Sequence, residues 1–378
     1  MTDAVTDDLV AWLPPLLQAV EAVGFVARNL YPPEFDSLMT AIGTPDAELR
    51  EVRSRIGQWP EAFAHIRAPM DTATDAVLAA FDGLRSAPDQ ADGIRAVFRA
   101  LRHGPKAQEA LYPLARRLPP ISDFFLDPAT RGDTDLQARL AQPASHPDTG
   151  VIHSSDSPGE RGGYSLYVPE YYTPDRTWPL VMALHGGSGN GGAFLWSWLR
   201  EARSHGAIVI APTAIGGTWA LMGDDVDTPN LARMLASIRN RWNIDPARLL
   251  LTGMSDGGTF CYVSGLEAAS PFTHLAPVAA TFHPLLAQVA DPDRIRGLPI
   301  MLVHGALDWM FPVETARRAQ QALTGAGARL TYREIADLSH CYPREINGDL
   351  LRWLASGSGG VRPMGGSCKI DAPRLIFR

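Results

Sequence analysis

The apolar positions follow one pattern in the first third of the chain and another in the rest. From about residue 8 to residue 140 they recur three or four positions apart, as in Leu9 and Leu13. That spacing places them on one face of an α-helix. Proline and glycine punctuate the pattern, so we predict roughly five short helices there. Pro14-Pro15 is expected to kink or restart the first helix, because proline lacks the N–H that a helix interior uses.

The rest of the chain carries short apolar runs separated by helical stretches. Residues 151–154 and 164–168 alternate apolar and polar side chains around a Ser/Pro/Gly loop, which predicts a β-hairpin. Residues 329–335 alternate in the same way. Strands that alternate with helices predict a mostly parallel sheet covered by helices on both faces. The buried-type strands expected in that sheet are residues 180–184, 207–210, 249–251, 275–278 and 300–303.

The junction between the two patterns lies at residues 142–150, which are rich in Pro, Ser and Asp. We therefore predict an all-helical N-terminal domain at residues 1–141, a linker at residues 142–150 and an α/β domain at residues 151–356. Residues 357–378 begin with a glycine-rich stretch and are expected to form a C-terminal tail.

The charge is concentrated in the helical part. The formal net charge is −7, and the residues up to Gly150 carry 14 Lys and Arg against 21 Asp and Glu, while the remainder has 20 of each. A basic surface of the kind that binds nucleic acid is not visible, so we expect no nucleic-acid partner.

The cysteines and the N-terminal residues indicate in which cellular compartment the protein is expected. Cys261, Cys341 and Cys368 are an odd number without metal-ligand spacing, which fits a reducing compartment. The first residues show no positively charged start followed by an apolar core, so no signal peptide is visible. We also find no apolar run of membrane-spanning length. A cytoplasmic protein without a membrane span is the expectation.

The clearest chemical signal is the Gly-x-Ser-x-Gly motif at residues 253–257, directly after the apolar run at residues 249–251. On a tight strand-to-helix turn, the hydroxyl of Ser255 is lifted above the sheet edge, and the glycines let neighbouring backbone pass closely. The helix start behind the serine favours the negative charge of an oxyanion. The motif therefore predicts Ser255 as a nucleophile.

Three further loops follow predicted strands and carry matching groups. A His-Gly-Gly-Ser-Gly loop at residues 185–189 can direct backbone N–H groups at a substrate oxygen. Two later loops carry Asp308 and His340. The order Ser255, Asp308, His340 is the nucleophile, acid and base order of α/β-hydrolases. His340 is expected to take and return the serine proton, and Asp308 to orient the imidazole.

From about residue 151 to residue 354 the chain resembles α/β-hydrolase esterases of the carboxylesterase/phospholipase and polyhydroxybutyrate-depolymerase-like groups. The resemblance rests on Leu-His-Gly-Gly at residues 184–187, the serine motif, and His-Gly-x-x-Asp at residues 304–308. It implies an α/β-hydrolase fold, and an oxyanion hole made by the backbone N–H groups of Gly187 and Asp256. The sequence departs from the family in having Ser339 before the histidine, where relatives more often have glycine, and in its helical first third.

Three side chains are candidates for the substrate pocket. Trp219, His283 and Trp309 lie in loops that are expected to ring the site. For the two tryptophans, ordinary packing of an amphipathic ring is an equal alternative.

Other polar groups near the motifs have simpler interpretations. Asp337 lies close to His340 in sequence, but Asp308 at a strand end is the better orienter. His185 and His304 each precede a glycine turn, which favours support of the loop backbone over a role as base.

Two further groups could indicate a thiol nucleophile or a metal site. Cys341 has no nucleophile elbow and is expected to be a packed thiol. Asp224, Asp225 and Asp227 lack the glycine and glutamate of a calcium loop, so a solvated helix start is favoured over a metal site. We expect no metal and no cofactor.

These observations predict a serine hydrolase that cleaves small to medium carboxylic esters through an acyl-enzyme. Thioesters, lactones and peptides use the same machinery and stay open as substrates. An alternative is that the N-terminal helices form an interaction or homo-oligomerisation module fused to an independent hydrolase. A protein that has the hydrolase fold but only binds a ligand is the third interpretation.

Overall fold

The computed structural model describes residues 3–356, which form an eight-stranded sheet and the helices around it. The strand order is β1-β2-β4-β3-β5-β6-β7-β8. Strand β2 pairs antiparallel with β1 on one side and with β4 on the other, and the remaining pairs are parallel. The hairpin and the mostly parallel sheet are therefore confirmed. The strands are β1 (Gly150–His153), β2 (Tyr164–Val168), β3 (Trp178–Leu184), β4 (Ile208–Pro212), β5 (Ile244–Met254), β6 (His274–Val278), β7 (Pro299–Gly305) and β8 (Arg329–Ile335).

Helices precede the sheet and connect its strands. Those before the sheet are α1 (Asp3–Asn29), α2 (Phe35–Ile42), α3 (Ala47–Arg55), α4 (Ala64–Ser86), α5 (Gly93–Leu101), α6 (His103–Leu111), α7 (Pro119–Phe124) and α8 (Thr134–Ala141). Those after β3 are α9 (Gly191–Leu195), α10 (Leu199–His205), α11 (Asp227–Arg241), α12 (Asp256–Gly265), α13 (Leu285–Val289), α14 (Pro292–Ile295), α15 (Val313–Gly325) and α16 (Asn347–Ala355). Short 3₁₀ helices lie at Pro32–Glu34, Glu61–Phe63, Ala87–Asp89, Tyr112–Leu114, Pro128–Thr130 and Arg344–Ile346.

The helical N-terminal region is confirmed, but its helices were counted wrongly. Within residues 3–356 eight α-helices precede β1, where about five were predicted from the Pro and Gly punctuation. Glycine was expected to end helices, but Gly83 lies inside α4, where a Cβ would come 2.8 Å from the Cβ of Ala100 on α5. Pro119 begins α7 instead of only ending the preceding helix, since proline suits the first helical position.

Helix α1 is continuous through Pro14 and Pro15, so it does not restart there, and a kink at the two prolines stays a prediction. The carbonyl groups that lose their helical partners belong to Val10 and Ala11, which are exposed, so water can satisfy them. Burial of Trp12 and the apolar side chains around it holds the helix across the two prolines.

The same helix corrects the expectation that no apolar run has membrane-spanning length. In the part of the chain that the structure describes, one helix, at Ala4–Asn29 with a mean hydropathy of 1.6, is long and apolar enough to cross a membrane. Half of its apolar window is buried inside the fold.

The two faces of the sheet contribute to different cores. On one face, Leu180 and Met182 of β3 pack with apolar side chains of α11, α12 and α15. On the other, Val181 and Ala183 share a single core with α10, α16 and the N-terminal helices α1 and α4. The helical region therefore shares its main core with one face of the sheet, and Leu126, Leu136 and Leu140 form a small separate cluster. The predicted linker, residues 142–150, contains neither a helix nor a strand up to residue 149, and Gly150 begins β1.

A buried polar cluster joins the two regions. Arg203 on α10 pairs with Glu170 at 3.0 Å and donates to the carbonyl of Ser122 in α7 at 2.8 Å. Glu170 also accepts hydrogen bonds from the hydroxyls of Tyr112 and Tyr167, at 2.7 and 2.8 Å. Burial alone would raise the pKa of the Glu170 carboxyl, but the guanidinium and the two hydroxyls outweigh it and hold the pKa below its usual value.

Candidate active site

The turn between β5 and α12 has the geometry of a nucleophile elbow. Ser255 has φ 57° and ψ −120°, a backbone conformation that non-glycine residues rarely adopt and that costs free energy. The neighbouring glycines are required by space. A Cβ on Gly253 would lie 2.4 Å from the carbonyl oxygen of Gly257, and one on Gly257 would lie 2.4 Å from that of His185. The motif therefore brings the serine and the loop after β3 into backbone contact.

Ser255, His340 and Asp308 form one hydrogen-bonded chain. The Nε2 atom of His340 lies 2.9 Å from the Oγ of Ser255, and its Nδ1 lies 2.9 and 3.0 Å from the carboxylate oxygens of Asp308. All three residues are more than nine-tenths buried. With Nδ1–H donated to the carboxylate, Nε2 is free to accept the serine proton.

Asp308 is fixed by its own loop. One carboxylate oxygen accepts from the backbone N–H groups of Met310 and Phe311, at 3.0 and 2.8 Å. His304, fully buried, has its Nε2 2.8 Å from the carbonyl oxygen of Phe311, so it supports the loop backbone, as we expected from the sequence. The Phe311 ring meets the His340 imidazole edge-on at 5.0 Å. No sequence pattern marked Phe311, which precedes a proline in an irregular loop.

The loop after β8 lies tightly against the end of β7. Gly305 has no room for a side chain, because a Cβ would come 2.1 Å from the carbonyl oxygen of Leu338. The same carbonyl accepts a hydrogen bond from the N–H of Leu307 at 2.9 Å. This contact brings the loops that carry Asp308 and His340 together.

The two residues predicted for the oxyanion hole lie side by side. Asp256 is the first residue of α12, so its N–H has no partner within the helix. A Cβ on Gly187 would lie 2.7 Å from the Asp256 carboxylate, which also accepts from the hydroxyl of Thr218 at 2.5 Å. Thr218 was not singled out from the sequence, because a threonine in a glycine-rich loop gives no signal. The N-terminal end of α12 therefore lies against the glycine loop at residues 185–189, next to Ser255.

His185 supports the glycine loop through hydrogen bonds of its imidazole to the backbone. Its Nε2 accepts from the N–H of Ala214 at 3.1 Å, so Nδ1 carries the proton and donates to the carbonyl of Gly186 at 2.6 Å. Burial lowers the pKa of His185 to about 4, which keeps the ring neutral. The structure therefore agrees with a supporting place for this histidine.

The three pocket candidates are placed differently. Trp219 is 2% exposed, stacks on Phe260 and donates to the carbonyl of His185 at 2.7 Å, so it packs beneath the loop. Trp309 is 42% exposed next to Asp308, and His283 is exposed in the loop after β6. A contact of Trp309 and His283 with substrate stays a prediction.

Exposed apolar side chains lie in the connections that follow strands β4, β6 and β7, including helix α13. The carboxyl ends of parallel strands lie at the same edge of a sheet, so these loops belong to the same edge as Ser255. We call this set the apolar rim: Ile215, Met222, Val226, Leu285, Val289, Leu307, Trp309 and Met310. Apart from Trp309 it was missed, although its sequence signal is visible as apolar residues inside Gly/Asp/Pro-rich loops.

The acidic residues Asp225 and Asp227 accept hydrogen bonds from the backbone. Asp227 is buried and accepts from the N–H groups of Ile215 and Ala220, so it fixes the loop after β4 and is not part of a solvated helix start. Asp225 caps α11 by accepting from the N–H groups of Asp227 and Thr228. Among the described residues no group of three His, Cys, Asp or Glu side chains could hold a metal ion.

Two groups close to His340 are also accounted for. Cys341 is buried and donates to the carbonyl of Leu30 at 3.3 Å, and burial raises the pKa of its thiol to about 12. It is a packed thiol, as we expected. Asp337 is half-exposed and pairs with Arg28. Cys368 lies outside the described residues.

The chain has relatives among the esterases. No protein-family model matches it. It is 30% identical over 149 residues to the bifunctional acetylxylan esterase/xylanase XynS20E of Neocallimastix patriciarum, a match that covers 38% of this chain and 21% of that protein. It is 25% identical over 204 residues to feruloyl esterase C of Emericella nidulans, and this match covers 52% of this chain and 67% of that protein.

This chain is similar in sequence to esterases of the α/β-hydrolase type. Among solved structures, a truncated carbohydrate esterase from gut microbiota superposes with a TM-score of 0.47 at 14% identity, covering 57% of this chain and 99% of the other. The chain spans about a fifth of the length of XynS20E. Similarity to these esterases therefore does not fix its substrate.

Proposed function

We propose that this α/β-hydrolase cleaves carboxylic esters through an acyl-enzyme on Ser255. The observation that carries the proposal is the hydrogen-bonded chain from Asp308 through His340 to Ser255. A serine hydroxyl is a weak nucleophile near neutral pH, and a base within hydrogen-bond distance activates it. The esterase names of the two sequence relatives support the same reaction class.

In the first half of the reaction, the Oγ of Ser255 forms a bond to the ester carbonyl carbon while its proton passes to Nε2 of His340. The carbonyl oxygen becomes an oxyanion, which the N–H groups of Gly187 and Asp256 stabilise. The bond from carbon to the alkoxy oxygen then breaks, and the imidazolium protonates the leaving alcohol. Asp308 stabilises the imidazolium and holds its tautomer throughout.

In the second half, His340 removes a proton from a water molecule, whose oxygen attacks the acyl carbon. The bond to Ser255 breaks, and the proton returns from His340 to the serine oxygen. The products are one carboxylic acid and one alcohol, and the enzyme is restored. A protonated His340 cannot start either half, so activity is expected to fall in acid.

For the substrate we propose small to medium esters with an apolar or aromatic acyl group. The apolar rim supports this assignment, because exposed apolar side chains at a site favour burial of an apolar ligand. The relatives named for acetylxylan and feruloyl esters fall within that range. In this proposal Trp309 and His283 line the acyl side, whereas Trp219 acts from beneath the glycine loop.

The test is a substrate panel read with the Ser255→Ala variant. The panel holds p-nitrophenyl esters from acetyl to decanoyl, a methyl ferulate, an acyl thioester and a peptide. We expect turnover of the short and aromatic esters, and a loss of about 10⁴-fold or more in Ser255→Ala, because losing the nucleophile of a comparable triad costs about 10⁶ in kcat.

Each outcome of the panel has a meaning. Faster turnover of the thioester than of its matching oxygen ester would make the chain a thioesterase on the same residues. Wild-type protein that cleaves no member, or Ser255→Ala protein that keeps its activity, would contradict the proposal.

Two further expectations accompany the proposal. A cytoplasmic location and a homo-oligomer formed through the helical region are proposed from the sequence, and sedimentation of the full chain tests the second of them. A monomer at micromolar concentration would rule out a stable oligomer.

A further inference from the structure

We propose that Arg28, at the C-terminal end of α1, is a positioning residue for the imidazole of His340, so that the N-terminal helices form part of the catalytic apparatus. The inference rests on the proposed function and extends it to a region that has no part in the reaction steps. It replaces the view of the helices as a module fused to an independent hydrolase.

The structural basis is a bridge across the loop that carries His340. The Nε of Arg28 donates to Glu345 at 2.6 Å, and its Nη2 donates to Asp337 at 3.3 Å. These carboxylates lie three residues before and five residues after His340. One planar guanidinium therefore ties both flanks of the loop to α1, which its forked donors allow and a lysine ammonium does not.

A second contact from the same helix end lies next to the imidazole. The backbone carbonyl of Leu30 accepts a hydrogen bond from the thiol of Cys341, and both residues are buried. Leu30, Cys341 and Leu338 belong to the core that the helical region shares with the sheet. The loop is thus held on one side by the β7 end and on the other by the end of α1.

The position of α1 does not depend on Arg28 alone. Glu21 on the same helix pairs with Arg200 on α10 at 2.7 Å, and the indole of Trp12 donates to the hydroxyl of Thr74 at 3.1 Å. Removing the Arg28 side chain is therefore expected to loosen the histidine loop while α1 stays in place. A displacement of about 1 Å in a catalytic group can cost roughly 100-fold in rate.

The experiment compares Arg28→Ala and Arg28→Lys with Arg53→Ala in the full chain. Arg53 is a matched control, since the contacts that the structure describes for it, with Asp71, Asp75 and the ring of Trp12, all lie within the helical region. With p-nitrophenyl acetate, Arg28→Ala should lower kcat by about tenfold to 100-fold with KM within about twofold of wild type. Arg28→Lys should recover part of that loss, and Arg53→Ala should keep wild-type kcat.

Coupling to the carboxylates gives a sharper test. The double variant Asp337→Asn, Glu345→Gln should lose as much kcat as Arg28→Ala, and adding Arg28→Ala to it should cost little more, because all three changes break the same bridge. Full additivity would contradict the bridge. So would an Arg28→Ala protein with wild-type kcat, or equal losses in Arg28→Ala and Arg53→Ala.

A readout without substrate separates this inference from the proposed function. The low-field proton NMR signal of the His340 Nδ1–H, assigned by its absence from His340→Ala, reports the bond to Asp308 directly. We expect it to broaden or disappear in Arg28→Ala and to persist in Arg53→Ala. If the wild-type protein cleaves no ester, the proposed function fails, but the signal still decides the role of Arg28. A signal unchanged in Arg28→Ala would overturn the inference.

Discussion

The two regions of this molecule are held in place by different means. In the α/β region the key contacts are made by backbone against backbone, at glycines where a Cβ would come within about 2.5 Å of a carbonyl oxygen, as at Gly257 and Gly305. In the helical region the conspicuous polar contacts are arginine–carboxylate pairs, such as those of Arg53 with Asp71 and Asp75. The difference indicates that close backbone approach sets where the reacting groups lie, whereas ion pairs between side chains connect the helices to one another.

The largest effect is expected where backbone approach is required. In Gly257→Ala the new Cβ would meet the carbonyl oxygens of His185 and Leu184 at 2.4 and 2.5 Å, which must push the elbow away from the glycine loop. We expect kcat to fall by about 100-fold or more, because the serine and the oxyanion donors separate. Steady-state kinetics with p-nitrophenyl acetate measures the loss.

Gly325→Ala is the control for that substitution, since a Cβ there has nothing within 4 Å. Its kcat should equal that of the wild type. Equal activity in both variants would show that the close approach at Gly257 does not govern the site.

The next effect concerns the junction between the regions. Arg203→Met removes the partner of the buried Glu170 carboxylate and the donor to Ser122. Breaking a buried pair on one side typically costs about 3–5 kcal/mol. Urea unfolding should show that loss, and a double variant with Glu170→Gln should recover part of it. A change below about 1 kcal/mol in Arg203→Met would mean that the cluster does not stabilise the junction.

The smallest expected effect is a loss of folding stability in acid that comes from buried histidines of the α/β region. Burial lowers the pKa of His185 and of His274 to about 4, from an ordinary value of 6.5. Between these values the unfolded chain binds protons that the folded chain does not, so stability is complete above pH 6.5 and is lost as the pH falls towards 4. Each histidine contributes roughly 3 kcal/mol to that loss.

His274→Gln should therefore flatten the dependence of the unfolding free energy on pH between about 6.5 and 4. Chemical denaturation at several pH values makes the comparison. The same slope in wild type and His274→Gln would contradict the assignment of a neutral, buried imidazole.

The features predictable from the sequence were those that repeat or that sit at strand ends. Strand β8 is found at the residues where the alternation placed it, and Ser255, Asp308 and His340 meet because the carboxyl ends of parallel strands share one edge. The continuity of α1 was missed, because a local rule about proline was outweighed by burial of the surrounding side chains. The bridge from Arg28 to Asp337 joins residues 309 positions apart, and a contact of that kind leaves no periodic trace in a sequence.

The central claim is that Ser255 is an activated nucleophile within a chain of three hydrogen-bonded side chains. Its most direct test is labelling of the full chain with a fluorophosphonate, followed by intact mass and peptide mapping. We expect a single adduct on Ser255, formed far more slowly in His340→Ala. An adduct on another residue, or none under conditions that label a known serine esterase, would contradict it.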